Sequence, residues 1–250
     1  YKRQPMFVTV SGWGMYSSAS RRLSEGHSAS QWVNWIVPRF ALLCLCQILV
    51  NILLNVERGG RFEWHTPGVL TLLAISAVIC PALVRTSMRA RSILMLLFCV
   101  SPLLMGASSG PELGWFERVD ARGIQEWMAR LLWNGTYPVL PWLFYILLGT
   151  VLQDLREDYR ARERGIVLGI IATSITLAMS VAEGIDWALT SGDAVLTFFP
   201  ASMPFLVVSG TMVALALRIL EGKEESGGEP LMGDRLSLLE PAGRMSLTIY

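Results

Sequence analysis

Charge is scarce in this 250-residue chain. Charged residues make up 16% of it and hydrophobic residues 52%, whereas soluble domains carry about a quarter charged residues. The net charge of +1 argues against a nucleic-acid partner, which needs a clustered basic surface. The few charges are grouped between apolar runs of roughly 20 residues, the length that crosses a bilayer as a helix. These features indicate a helical membrane protein.

Metal ligands are equally scarce. The chain has two histidines and four cysteines, and no Cys/His spacing is typical of a zinc site. All four cysteines lie inside apolar runs, so we expect buried free thiols and no bound metal. They are Cys44, Cys46, Cys80 and Cys99.

Seven apolar runs predict membrane helices. They cover residues 5–18, 37–56, 67–84, 92–107, 137–152, 165–189 and 203–220, and another begins near residue 243. The predicted fold is therefore all-α, a polytopic transmembrane helical bundle of about seven membrane helices plus a truncated one at the C-terminus. No linker separates a second module, so residues 1–250 are expected to form a single transmembrane domain that is cut at both ends.

Two local patterns add detail to this bundle. Gly12 and Gly14, in the first run, permit a close approach between helices. Residues 124–132 carry apolar side chains at i, i+3, i+4, i+7 and i+8, which predicts an amphipathic helix lying on the bilayer surface.

The loops on the two sides of this bundle differ in basic residues. Most of the arginines follow the first, third, fifth and seventh runs, and the positive-inside rule places that side in the cytoplasm. We therefore predict an integral, multi-pass protein of the plasma (cell) membrane. The loop that carries His65 is then extracytoplasmic.

Three amide side chains recur at intervals of four residues in the second run. Gln47, Asn51 and Asn55 are expected to share one helix face, and amides in hydrocarbon are costly unless they find partners. One interpretation is a polar stripe lining a substrate cavity that ends near His65. The other is hydrogen bonding between helices, a common role of Asn and Gln in membranes. We assign the three amides to substrate binding.

Three further residues are candidates for chemistry. His65 precedes a helix start at Pro67, where an imidazole is either a general base or an interfacial residue with no catalytic role. Asn134, in an Asn-Gly turn before another helix, is predicted to line the same outer cavity. Arg244, on the cytoplasmic side, is predicted to bind a phosphate of an acyl carrier, with contact to lipid headgroups as the alternative.

Four short motifs occur in order along the chain. They are Phe7-Val8-Thr9-Val10-Ser11-Gly12, Pro67-Gly68-Val69-Leu70, Tyr137-Pro138-Val139-Leu140-Pro141-Trp142 and Gly243-Arg244-Met245-Ser246-Leu247-Thr248. Together they resemble the heparan-α-glucosaminide N-acetyltransferase and YeiB-like membrane acyltransferase superfamily. The last motif is the most specific of the four.

The resemblance implies a multi-helix membrane enzyme. Such an enzyme would take an acetyl group from cytoplasmic acetyl-CoA and deliver it to an amine or hydroxyl of a glycan on the far side. The resemblance also implies a catalytic histidine ahead of Tyr1, so the catalytic residue is left unassigned. His65 stands where the family pattern has an arginine, which favours a polar binding role over general-base catalysis.

We therefore predict a membrane O- or N-acetyltransferase that acts on a glycan or small molecule on the outer side. Gln47, Asn51, Asn55, His65 and Asn134 are its predicted substrate-binding residues, and Arg244 is its predicted contact with acetyl-CoA. The expected partners are the lipid bilayer and the acceptor, and a homodimer is an open possibility. The alternative is a transporter or permease for a small polar solute, since helices interrupted by Gly and Pro suit a midplane binding site.

Overall fold

The computed structural model describes residues 4–156 and 158–221. Nine α-helices form this part of the chain: α1 (Gln4–Ser24), α2 (Ala29–Leu53), α3 (Val69–Leu83), α4 (Met88–Met105), α5 (Trp115–Val119), α6 (Ile124–Ala129), α7 (Val139–Asp154), α8 (Tyr159–Glu183) and α9 (Met203–Glu221). Two short strands, β1 (Asp186–Leu189) and β2 (Ala194–Thr197), pair in parallel between α8 and α9. Arg244 and the predicted last helix lie outside the described residues.

Serine side chains set where two of the long helices begin. The Ser28 hydroxyl accepts a hydrogen bond from the Gln31 backbone N–H, and the Gln31 side chain accepts one from the Ser28 backbone in return. This capping box satisfies backbone donors that a helix start leaves unpaired. It explains why α2 begins at Ala29, eight residues ahead of the predicted apolar run. Ser87 caps α4 in the same way, accepting from the Ala90 N–H.

Four described helices are long and apolar enough to cross a membrane. They are Ala29–Leu53, Met88–Ser109, Tyr159–Glu183 and Met203–Leu220. A fifth is obtained if Val139–Asp154 is joined to Ile124–Asn134, from which it is bent by 44°. The prediction of a helical membrane protein is confirmed, and the predicted count of about seven membrane helices is not. Helix α1 is not among these membrane-spanning helices because it contains many polar residues. Helix α3 is not among them because it has only 15 residues.

Helix α7 lies at the centre of the bundle. Every residue from 141 to 152 is buried, whereas the long helices α2, α4 and α8 expose many apolar side chains, among them Leu45, Leu104 and Val181. Exposed apolar side chains are stable only if lipid or another apolar surface covers them. The bundle therefore has a buried axis and an outer face suited to lipid.

Two glycines allow α1 to pack directly on α7. A Cβ atom added at Gly12 would lie 2.6 Å from the Ile146 carbonyl oxygen, and one added at Gly149 would lie 2.2 Å from the Thr9 carbonyl oxygen. Both distances are too short for any side chain, so the two backbones touch. The close approach predicted at Gly12 is present, and α7 supplies the matching glycine.

Ion pairs show which helix ends share a side of the bundle. Arg91 near the start of α4 pairs with Asp154 at the end of α7, and its guanidinium lies 4.3 Å from the centre of the Tyr16 ring of α1. Arg218 near the end of α9 pairs with Glu163 near the start of α8 at 3.0 Å. We call this side the arginine end, and the opposite side, where β1 and β2 lie, the strand end.

We expect Gly149→Ala to lower the stability of the folded protein. The added methyl group meets the backbone of α1, which cannot yield as a flexible side chain does, and such overpacking costs about 1–3 kcal/mol. Thermal unfolding in detergent measures the effect. Gly165→Ala, at a helical position of α8 with no atom within 4 Å of the new Cβ, is the matched control and should leave the Tm unchanged or slightly raised. Equal Tm values for the two variants would contradict the close contact.

Candidate functional site

A cavity of about 1630 Å³ lies between α1 and α9. Its walls are mostly apolar and include Phe7 and Val10 of α1 and Phe205 and Met212 of α9, while residues of β1 and β2 line it at the strand end. We call this cavity the groove. Pockets for small molecules usually measure roughly 300–1,000 Å³, so the groove has room for a large ligand or for two ligands together.

Arginines line the other end of the groove. Arg21 and Arg22 come from the last turn of α1, and Arg39 comes from α2. The described residues that line the groove include no aspartate or glutamate. This end of the groove is therefore positively charged and suited to an anionic group, which guanidinium binds by charge-assisted hydrogen bonds.

A buried tryptophan positions two of these arginines. The guanidinium carbon of Arg39 lies 4.6 Å from the centre of the Trp35 ring, and that of Arg22 lies 5.3 Å from it. Arg39 and Trp35 are four residues apart on α2, a spacing that brings side chains together, and Arg39 also donates to the Trp35 carbonyl oxygen at 3.0 Å. Trp35 is 4% exposed. The cation–π contacts thus hold the charges at the groove.

The groove is nearly as long as the hydrocarbon core of a bilayer is thick. Pro5 and Arg22 both line it, and the 17 residues of α1 that separate them rise by about 26 Å at roughly 1.5 Å per residue. The hydrocarbon core of a bilayer is about 30 Å thick. A ligand held by the arginines can therefore extend far towards the strand end.

Two of the predicted site residues form a buried network at the strand end. Gln47 donates to the Asn51 side-chain oxygen at 2.8 Å. Asn51 in turn donates to the carbonyl oxygens of Trp64 at 3.1 Å and Thr66 at 2.8 Å. The Gln47 oxygen accepts from the Leu70 backbone N–H at 3.1 Å. Gln47 and Asn51 are 6% and 1% exposed, so the amides fix the loop before α3.

The same network supplies the missing cap of α3. Gly68 precedes α3 and has no side chain to bond the first turn, so the Gln47 side chain takes that role from α2. A Cβ atom at Gly68 would lie 2.6 Å from the Gln47 amide, which explains the glycine. The structure thus shows the hydrogen-bonding role that was the alternative for these amides. Their assignment to substrate binding stays a prediction.

Asn55 does not continue the face of Gln47 and Asn51. Helix α2 ends at Leu53, because the carbonyl groups of Leu54 and Asn55 accept from loop N–H groups of residues 60–62 instead of from a further helical turn. The Asn55 side chain caps the short 3-10 turn Val56–Arg58 by accepting from the Glu57 N–H at 2.8 Å. The expected stripe of three amides is therefore not present: Gln47 and Asn51 share a helix face, and Asn55 caps a turn in the loop that follows.

His65 is held through its backbone. Its carbonyl oxygen accepts from the Trp127 indole N–H at 2.8 Å, and its ring lies edge-on to that of Trp64 at 5.3 Å. The ring nitrogen Nε2 is buried without a hydrogen-bond partner in the described part of the chain, and Asp120 Oδ1 is 3.9 Å away. His65 does not line the groove, and its role in binding stays a prediction.

Asn134 belongs to an arginine network that holds the loops at the strand end. Its side-chain oxygen accepts from Arg130 at 3.0 Å, and its carbonyl oxygen accepts from Arg118 at 3.1 Å. Arg118 is 1% exposed and donates to the carbonyl oxygens of Ser109, Gly110 and Leu113 as well. Burial lowers the pKa of Arg118 to about 10, which still leaves it charged at neutral pH.

This network also shapes the predicted surface helix at residues 124–132. The segment is helical in two parts, α6 and a π-helical turn over Arg130–Asn134. Ile124 is 82% exposed, whereas Leu131 is buried.

The arginines at the groove are not among the site residues predicted from the sequence. Arg21, Arg22 and Arg39 belong to the basic residues from which the orientation of the chain is predicted. An arginine inside an apolar run, four residues after a tryptophan, was a usable signal for Arg39. Nothing in the sequence points to Ser209, the groove-lining serine of α9, as a special residue. In the part of the chain that the structure describes, no group of three His, Cys, Asp or Glu residues could hold a metal ion.

We expect Asn51→Ala to destabilise the protein by about 2–3 kcal/mol, since it leaves several buried polar groups without a partner. The readout is the Tm in detergent. Asn34→Ala, at an exposed position of the same helix, is the matched control and should change the Tm little. A similar small change for both variants would contradict the structural role of the buried amide.

A comparison with protein families supplies an independent identification. Residues 4–250 match the family model described as an acyltransferase domain. No curated protein and no solved structure matches the chain. The match covers nearly the whole chain, and the long apolar helices fit an enzyme of the bilayer. The chain therefore belongs to the acyltransferase domain family and is an integral membrane member of it.

Proposed function

We propose that the protein moves an acetyl or related acyl group from a coenzyme A donor to an amine or hydroxyl of a glycan or small molecule. The donor would bind from the cytoplasm and the acceptor from the outer side of the plasma membrane. Family membership supports acyl transfer. The resemblance to heparan-α-glucosaminide N-acetyltransferases suggests acetyl-CoA as the donor and a glycan as the acceptor. The observation that carries the choice of donor is an apolar groove with three arginines at one end.

The two parts of the groove match the two parts of the donor. Coenzyme A has an anionic, phosphate-rich head and a thin pantetheine arm that ends in the acyl thioester. Arg21, Arg22 and Arg39 would bind the phosphates by charge-assisted hydrogen bonds, and the apolar walls would receive the arm. The basic residues at this end also agree with a cytoplasmic location under the positive-inside rule.

The strand end is the proposed side of the acceptor. Trp187 and Thr190 line the groove there, and both a stacking ring and a hydroxyl suit a sugar. Gln47, Asn51 and Asn134 contribute by fixing the loops around this end. His65 belongs to the same loops, and its buried ring nitrogen Nε2 has no hydrogen-bond partner among the described residues.

Purified full-length protein, incubated with radiolabelled acetyl-CoA and a panel of amines and glycans, tests the reaction directly. Label should move to one class of acceptor. Counterflow of a polar solute in proteoliposomes without acetyl-CoA, together with no binding of coenzyme A, would replace the proposal by a permease.

We expect Arg22→Ala and Arg39→Ala each to weaken acetyl-CoA binding by about 10-fold or more, the size of one lost charge-assisted contact of roughly 1.5–3 kcal/mol. Equilibrium binding of the labelled donor measures this, and the loss should shrink at high salt because screening weakens exposed charges. Arg85→Ala is the matched control. Arg85 lies at the same end over Trp32, at 5.1 Å from its ring, but does not line the groove. Equal losses for Arg85 and Arg22 would contradict the assignment.

A further inference from the structure

A buried tyrosine fixes one of the hydroxyl groups that line the groove. Ser11, Ser18 and Ser209 are its serines. The Ser209 oxygen lies 2.7 Å from the Tyr145 hydroxyl of α7, and Tyr145 is 0% exposed. Ser209 lines the groove and contacts Tyr145 of the central helix α7. These two properties distinguish it from a serine that bonds only its own helix.

Hydrogen-bond accounting sets the direction of this contact. A serine hydroxyl has one proton and two lone pairs, and the Ser209 proton has an acceptor in the Phe205 carbonyl oxygen of its own helix. The Tyr145 proton must then go to the Ser209 oxygen, since the reverse leaves a fully buried donor unpaired at a cost. This arrangement leaves one lone pair on Ser209. The oxygen is therefore a fixed hydrogen-bond acceptor in an apolar groove.

The height of Ser209 fits the arm of the proposed donor. Nine residues of α9 separate it from Arg218 at the arginine end, which corresponds to about 14 Å of helix. The pantetheine arm, taken as about four residues' length of extended chain, reaches a similar distance. The arm contains two amide N–H groups, and an N–H that enters an apolar site without an acceptor loses binding energy.

We propose that the Ser209 oxygen, held in place by the Tyr145 hydroxyl, accepts a hydrogen bond from an amide N–H of the pantetheine arm. This assignment rests on coenzyme A as the donor in the proposed function. Ser209 contacts the ligand, and Tyr145 is a positioning residue that acts through it. The contact places the arm, and with it the thioester, at a defined depth in the groove.

Two ligands separate this role from a purely structural one. Coenzyme A carries the arm, whereas adenosine 3′,5′-bisphosphate carries a phosphate-rich head without it. We expect Ser209→Ala to raise the Kd of coenzyme A about 3- to 10-fold, the size of one hydrogen bond, and to leave the Kd of the bisphosphate unchanged. Ser209→Thr, which keeps the hydroxyl, should restore coenzyme A binding.

Substitution of the tyrosine provides a second, independent test. Tyr145→Phe should weaken coenzyme A binding less than Ser209→Ala does, and the double variant should bind like Ser209→Ala alone because Tyr145 acts only through Ser209. Ser174→Ala is the matched control. Ser174 bonds the Ile170 carbonyl oxygen of α8 at 3.0 Å and does not line the groove, so neither Kd should change.

The outcomes against the assignment are distinct from failure of the proposed function. Equal losses for both ligands in Ser209→Ala would mean general damage to the groove, and no loss for either would mean no contact. Both results would overturn the role of Ser209 while leaving the donor intact. If the unsubstituted protein binds neither ligand, the proposed function fails and the assignment fails with it.

Discussion

The direct backbone contact between α1 and α7 determines the geometry of the groove. Gly12 and Gly149 let the two helices approach more closely than any side chain would allow. One face of α1 is therefore packed against α7. Its opposite face becomes a wall of the groove. Helix α9 also reaches α7, through Gly210 against the Phe144 ring and through Ser209 against Tyr145. Both walls are thus placed by the same central helix, and the groove opens between them.

The two ends of the bundle use polar groups in different ways. At the strand end, polar side chains donate hydrogen bonds to backbone carbonyl groups of the loops, which would otherwise be buried without partners. The donors are Asn51, Arg118 and Arg130. At the arginine end, Arg22 and Arg39 lie against the face of Trp35, and Arg39 also donates to the Trp35 carbonyl oxygen. The first arrangement fixes the loops, and the second places two positive charges at the groove.

The sequence predicts the local features of this fold and few of its long-range ones. Apolar runs locate the long helices because lipid imposes a length and composition on each helix separately. The small size of Gly12 signals a close helix contact, but not that Gly149 of α7 is its partner.

The starts and ends of helices were less predictable. α2 begins early because of the Ser28 capping box. It ends before Asn55 because the carbonyl groups of Leu54 and Asn55 accept from backbone N–H groups of the following loop. The groove unites residues as far apart as Arg21 and Ser209. No local pattern carries that information, since packing of the whole bundle decides which helix faces meet. The motif at residues 243–248 lies outside the described residues, so the role of Arg244 stays a prediction.

The lengths of the helices have a consequence for the lipid barrier itself. The inner helices α3 and α7 have 15 and 16 residues, or about 22 and 24 Å of rise, whereas α2 and α8 on the outside have 25 residues each, or about 38 Å. A bilayer matches its hydrocarbon thickness to the helices that face it, or those helices tilt. The inner helices are shorter than the helices that face lipid, so the protein interior is thinner than its outer face. In the proposed function, the acyl group would pass through this thinner interior and would travel a shorter distance than one that crosses the bilayer.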